Sequence, residues 1–355
     1  MDKEDRNMSP REQKIIEILL EQESLQSSDI HEILGKRGED VSLVTVKRAL
    51  AEMVAQGLLV AGGSGRSSSY QVSTLGRIFA RIDAQAYCAI EPDRRYGLKR
   101  YNQDLFAGVP AAIFSPPELK KLEEATTEYV RRTSDLPPAI EKRELERLVV
   151  ELSWKSSKIE GNTYTLLDTE KLILENKEAP GHTHGEAQMI LNHKDAFTFV
   201  RENTAFFQTL SRAHIEELHS ILVKDLEVGP GLRERVVGII GSVYQPLDNV
   251  HQVREGLEAL MVAVERVETP YAKALMALLG VSYLQPFEDG NKRTARLLAN
   301  AILLAYGRAP LSYRSVEESE YREAMLVFYE LNSVVPFKKL FIEQYDFAAR
   351  TYAVT

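Results

Sequence analysis

Apolar residues recur every three or four positions through most of this chain, the period of helices with one buried face. Ser9-Pro10 supplies a cap and a proline for the first helical position, and Ile15, Ile16, Leu19 and Leu20 form the inward face behind it. Ser28-Asp29 starts a short second helix with Ile30, Ile33 and Leu34 inward. Ser42 caps a third, which runs through Val46, Leu50 and Met53 to a stop at Gly57. The pattern then changes: Leu58–Ala61, Gly62-Gly63-Ser64-Gly65 and Ser69–Val72 read as strand, turn and strand. Residues 76–115 show little period. Beyond Ser115-Pro116-Pro117 the chain is helical again to about 352, with one exception. That exception is 233–246, a strand-like stretch containing Val236-Val237-Gly238-Ile239-Ile240. The expected fold is mainly α: a helical core with a small β-hairpin, plus an N-terminal domain of three helices and a hairpin.

Length and composition narrow the class. A chain of 355 residues with 44% hydrophobic side chains can bury the cores of two or three domains. Its longest apolar runs reach about ten residues, short of the ~20 needed to span a bilayer, so no membrane partner is expected. No apolar segment follows Met-Asp-Lys-Glu-Asp-Arg, and the single Cys88 excludes an internal disulfide; both fit a cytoplasmic protein. A net charge of −8 argues against a protein that coats nucleic acid, while leaving room for a local basic patch.

The chemistry concentrates in residues 283–296, Tyr-Leu-Gln-Pro-Phe-Glu-Asp-Gly-Asn-Lys-Arg-Thr-Ala-Arg. An apolar helix from Ala272 to Leu284 leads into a turn, Pro286 to Gly290, and a second helix begins near Asn291. A helix start exposes unpaired N–H groups and the positive end of the dipole; Lys292, Arg293 and Arg296 add charge suited to an anion, above all a phosphate. Asp289, one acid among cations, could hold a divalent metal that bridges phosphate oxygens. The plainer reading is a capped helix with a solvated basic turn.

This stretch resembles the signature of the Fic (Fido) family, His-Pro-Phe-x-Asp/Glu-Gly-Asn-Gly/Lys-Arg-x-x-Arg. It matches at Pro286, Phe287, Asp289, Gly290, Asn291, Lys292, Arg293 and Arg296, and departs at Gln285, where the family carries its catalytic histidine. Most of the family has Gly where Lys292 stands; the related Doc branch has Lys there but Ala at the position of Gly290. The resemblance implies ATP with Mg²⁺ as cofactors and AMP transfer to a hydroxyl of a target protein. It assigns Mg²⁺ to Asp289 and the phosphate cradle to Gly290 and Asn291, with Lys292 among the nucleotide contacts. Arg293 would take the α/β-phosphates and Arg296 the γ-phosphate.

Two further stretches resemble parts of the same family. Ser156, Glu160 and Gly161 fit its inhibitory motif, Ser/Thr-x-x-x-Glu-Gly/Asn, at the end of a helix; i,i+4 spacing puts Ser156 and Glu160 on one face. In the family that glutamate reaches the second signature arginine, here Arg296, and blocks the γ-phosphate. Residues 233–246 resemble the flap, a hairpin that holds the target by strand addition, which points to Ser242, Val243 and Tyr244. The implied organisation is 1–75 as a winged helix-turn-helix, 76–140 as a connecting segment and helix, and 141–355 as the Fic domain. Within the last lie the inhibitory helix (about 141–162), the flap (about 233–246) and the signature loop (285–296).

The N-terminal domain resembles a winged helix-turn-helix. Its third helix offers Thr45, Lys47 and Arg48, and its wing tip Arg66, residues suited to phosphate and base-edge contacts with DNA. Against that, acids outnumber bases by twelve to nine through residue 75, and such domains also serve in docking or as homodimer contacts. Gln285 decides the functional reading. An amide cannot take up and release a proton near neutral pH, so a general base worth about 10²–10⁴-fold is missing. The expectation is an impaired, Glu160-inhibited relative of the protein adenylyltransferases. The alternatives are a nucleotide-sensing, DNA-binding transcriptional regulator without transferase activity, or an interaction scaffold.

Overall fold

A computed structural model describes residues 8–63 and 68–354. The chain divides into two compact units. One comprises the chain through Pro110 with Gly238–Gln245 and Arg322–Lys338; the other comprises Ala111–Val237, Pro246–Tyr321 and the chain from Lys339 onward.

The first unit begins with α1 (Pro10–Gln22), α2 (Ser27–Lys36) and α3 (Leu43–Ala55). Ser9 and Glu12 close a capping box on α1, and the Ser42 hydroxyl accepts the Thr45 N–H at 3.2 Å on α3. Ile15, Ile16, Leu19, Leu20, Ile30, Leu34, Val46, Leu50 and Met53 are all buried, while Ile33 is half-buried. Strands β1 (Leu25–Gln26), β2 (Leu59–Gly62) and β3 (Ser69–Val72) form an antiparallel sheet in the order β1-β3-β2, with Leu59 opposite Val72 and Gly62 opposite Ser69. Strand β1 has only two residues, too short for any alternation to announce it. The wing-tip candidate Arg66 lies outside the described residues.

The same unit contains a buried carboxylate, Glu330, which accepts from Tyr87 Oη at 2.7 Å, Ser242 Oγ at 2.6 Å and Arg95 Nη1 at 3.3 Å. These partners replace the water that a buried charge would otherwise lack.

The β-hairpin expected at 233–246 does not form. No residue there belongs to a strand; there is a turn closed by Ser242 N–H on the Ile239 carbonyl at 3.1 Å, and an isolated bridge between Gln245 and Arg100. The strand reading rested on the β-branched run Val236-Val237-Gly238-Ile239-Ile240. In the structure Val236 is 68% and Ile240 100% exposed, while Ser242 and Tyr244 are tied to Glu330 and Tyr329. Without a second run to pair with, the extended backbone has no ladder to join.

The second unit is built around the helix Pro270–Leu284, in which nearly every side chain is buried. A helix apolar on all sides needs neighbours on all sides, and it packs on Val250–Arg266 and Asn291–Ala305. Gly280 permits a close approach: a Cβ there would lie 2.2 Å from Leu260 Cδ1. The helix Pro138–Ile159 packs on Leu166–Glu175 and His184–Glu202, and its middle is strapped by the chain end through Arg147 Nη2 to the Thr351 carbonyl at 2.6 Å and Tyr352 Oη to Glu151. Among the described residues no helix is long and apolar enough to cross a membrane.

Candidate functional site

The turn between Leu284 and Asn291 is braced from within. Gln285 ends its helix in the left-handed conformation, φ 49° and ψ 60°. The Asn291 side chain then clamps Phe287 on both sides: its Oδ1 accepts the Phe287 N–H and its Nδ2 donates to the Phe287 carbonyl, each at 2.8 Å. Gly290 caps the next helix at φ 78°, and a Cβ there would meet Val223 Cγ1 at 3.2 Å, so only glycine fits without strain. Gly290, the residue before that helix, has no side chain with which to cap its first turn. A helix start without such a cap is a place where backbone N–H groups can meet an anion.

Phe287 is fully buried and lies face to face with the His219 ring, centroids 3.7 Å apart. His219 Nε2–H donates to the Asp289 carbonyl at 3.0 Å, pinning the turn from beneath. Burial pushes the His219 imidazole down to about 4, against the hydrogen bond to Asp289 and with help from the Arg293 charge. His219 is thus neutral in the folded protein at neutral pH. Protons bind the unfolded chain first as pH drops below the free value of about 6.5, so stability contributed by the neutral ring is present above that value and lost toward pH 4. The gap corresponds to roughly 3 kcal/mol. Buried His193 is shifted in the same direction and adds to the slope. Denaturation measured from pH 7 to pH 4 should show this loss, and His219→Gln should flatten it in part. An unchanged slope in that variant would remove the buried neutral ring from the account.

The cations converge above the turn. Arg296, fully buried, donates from Nε to Ser156 Oγ at 2.9 Å, from Nη2 to the Ser156 carbonyl at 2.8 Å and from Nη1 to Glu160 Oε1 at 2.9 Å. Tyr321 Oη lies 3.4 Å from the same Nη1. The other Glu160 oxygen faces Lys292 Nζ at 3.4 Å. Burial alone would raise the Glu160 carboxyl, but the Arg296 and Lys292 charges outweigh it and hold the group below the usual carboxylate range. Gly161, at φ 97°, ends the helix directly after it. Two cations of the helix Asn291–Ala305 thus hold a carboxylate of their own chain, one on each oxygen.

Arg293 is also buried and donates from Nη2 to Asp289 Oδ2 at 3.0 Å. The Asp289 side chain remains 65% exposed, a position from which one carboxylate can join phosphate oxygens around Mg²⁺. Among the described residues no cluster of three or more His, Cys, Asp or Glu side chains is placed to hold a metal alone.

Gln285 is nearly buried and its amide is turned back, Nε2 donating to the Ser282 carbonyl at 2.6 Å. Arg233 is a residue the sequence pattern did not single out. Its Nε donates to the Gln285 carbonyl at 2.6 Å and its Nη1 to the Arg235 carbonyl at 2.8 Å, and Nη2 donates to the Leu247 carbonyl. Partners that are backbone carbonyls leave no trace in sequence. Ser242, Val243 and Tyr244 lie in the first unit, along a groove of about 650 Å³ that includes Asp93, Lys99 and Ile240. On α3, Lys47 and Arg48 are exposed, and half-buried Thr45 pairs with Ser42 at 2.9 Å.

A family model described as Fic/DOC family matches residues 209–303, and one described as penicillinase repressor matches residues 8–81. Among curated proteins the chain is 27% identical over 227 residues to a protein adenylyltransferase Fic of Nematostella vectensis, covering 58% of this chain and 51% of that protein. It is 22% identical over 322 residues to the protein adenylyltransferase Fic of Drosophila melanogaster, covering 82% and 64%. The chain thus spans about half to under two thirds of these relatives. Among solved structures, Fic-1 from C. elegans aligns with a TM-score of 0.58 at 20% identity, over 66% of this chain and 72% of that one. A Fic family protein from Desulfovibrio desulfuricans aligns at 0.55 and 22%, over 68% and 75%. At these identities the likeness carries the fold.

Proposed function

We propose that this chain, a member of the Fic/DOC family with an N-terminal winged helix-turn-helix, binds ATP with Mg²⁺ at the 285–296 turn and is held inactive by Glu160. The observation that supports this most is the occupied receptor: a helix start without a side-chain cap and a buried arginine, with the receptor's own glutamate in the place of a ligand anion. Asp289 would hold Mg²⁺ against the phosphates, Arg293 the α/β-phosphates, and Arg296 the γ-phosphate once Glu160 leaves. Asn291 and Gly290 keep the turn in shape. AMP transfer to a protein hydroxyl is the reaction this arrangement serves, and Gln285 impairs it for want of a base.

Calorimetric titration with ATP and Mg²⁺ tests the site. Glu160→Gly should bind ATP more tightly than wild type, with a smaller gain for ADP, which lacks the γ-phosphate. In that background Arg293→Ala should weaken binding by about 1.5–3 kcal/mol, the worth of a charge-assisted phosphate contact. Equal affinity with and without Arg293, in a variant that still melts cooperatively, would place the nucleotide elsewhere.

A second reading, a nucleotide-responsive DNA-binding regulator, is favoured by exposed Lys47 and Arg48 on α3 of a repressor-like domain. Replacing both by Ala should weaken duplex binding and lower its salt slope by about two phosphate contacts. No binding by wild type at low salt to DNA around its own gene would set this reading aside.

A further inference from the structure

We infer that Lys292 serves both states of the turn, clamping Glu160 when the site is empty and ligating phosphate when Glu160 is gone. The inference rests on the nucleotide-site reading above. Glu160 is held by two cations, one on each oxygen: Arg296 Nη1 at 2.9 Å and Lys292 Nζ at 3.4 Å. The two are not alike. Arg296 keeps Ser156 and Tyr321 as partners whether Glu160 is present or absent, so it stays where it is. Lys292 meets Glu160 from the end of a flexible stem, and its side chain is 33% exposed. It also stands in the first turn of the helix Asn291–Ala305. A cation there opposes the positive end of the helix dipole and raises the demand for an anion beside it. Glu160 meets that demand in the closed state. Phosphate oxygens arriving at the same helix start meet it in the open one.

Lys292 therefore exchanges one anion for another, and its removal should depend on whether Glu160 is there. In wild type, Lys292→Ala loosens the clamp and deletes a phosphate contact together. The two effects oppose, and ATP affinity should move by no more than about twofold. In Glu160→Gly no clamp remains to loosen, so the same change should weaken ATP by about tenfold, the loss of one charge-assisted contact. Lys292→Arg, which keeps the charge, should recover most of that loss.

The experiment is a double-mutant cycle by calorimetry on the full chain: wild type, Lys292→Ala, Glu160→Gly and the pair, each titrated with Mg²⁺-ATP and with inorganic tripolyphosphate. Background-dependent loss with both probes supports the inference. Equal loss in both backgrounds overturns it, because Lys292 would then be a phosphate ligand without a clamping role. Tighter ATP binding in Lys292→Ala, with no change in the Glu160→Gly background, also overturns it, because Lys292 would then be a clamp alone. If tripolyphosphate gives the background-dependent pattern while ATP does not bind Glu160→Gly at all, the adenine-nucleotide reading fails and the role of Lys292 stands.

Discussion

A variant carrying Gln285→His together with Glu160→Gly should transfer AMP at least about 10²–10⁴-fold faster than wild type, the range that a positioned general base supplies. In the function proposed above, the two changes repair separate faults. The transfer forms a bond between the acceptor hydroxyl oxygen and the α-phosphorus, breaks the bond to the departing pyrophosphate, and leaves the hydroxyl proton to be taken up. Imidazole takes it at neutral pH; the Gln285 amide, bound to the Ser282 carbonyl, has no such capacity. Glu160→Gly acts on the substrate instead, freeing Arg296 Nη1 for the γ-phosphate so that the chain of phosphates can be aligned. Neither repair helps much without the other, so the pair should exceed the product of the single variants. Label from ATP carrying ³²P at the α-phosphate, followed onto protein, separates the cases. A double variant that binds ATP with Mg²⁺ and labels nothing would mean that more than the base has been lost, and the regulator reading would replace the enzyme one. Wild type labelling as fast as the histidine variant would mean that Gln285 is not a defect.

What the sequence made legible is what depends on neighbours in the chain. The i,i+4 spacing of Ser156 and Glu160 places both on one helix face by geometry alone, and both reach Arg296. The left-handed Gly290 and the clamp of Asn291 on Phe287 sit within one turn, so a short motif carries them. The segment at 233–246 shows the opposite case. Its run of valines and isoleucines reads as a strand, but a strand is completed by a partner, and none is supplied locally. The second partner of Glu160 is equally hidden: Lys292 reads as one more cation at a helix start until the fold sets it 3.4 Å from the carboxylate. Arg233 is the clearest omission, since its partners have no side-chain identity.

Arg233→Met should cost about 3–5 kcal/mol of stability, the largest loss expected here from a single substitution that leaves nucleotide contacts untouched. The stem of methionine fills much of the space, so the effect isolates the guanidinium. The carbonyls of Gln285 and Leu247 are buried where they meet Arg233, and the Arg235 carbonyl is partly so. Each buried acceptor left without a donor costs about 1–3 kcal/mol, and water reaches such positions poorly. The loss should also be felt at position 285. Gln285 is a non-glycine residue held at φ 49°, at the end of a helix whose dipole favours a cation, and Arg233 Nε is the cation on its carbonyl. Arg235 and Leu247 lie near the two ends of the 233–246 stretch, so one side chain ties both to the residue where the family's base stands. Lysine at 233 keeps the charge but can reach fewer of these carbonyls at once, and should recover only part of the loss. Thermal and urea denaturation of wild type, Arg233→Met and Arg233→Lys give the ranking. In the Gln285→His/Glu160→Gly background, Arg233→Lys should lower the AMP-transfer rate more than it weakens ATP binding, because in the function proposed above the residue it holds, Gln285, takes the place of the base and not of a phosphate ligand. If rate and binding fall together, or if Arg233→Met melts with wild type, the three carbonyl contacts do not hold position 285 and its placement must come from the helix alone.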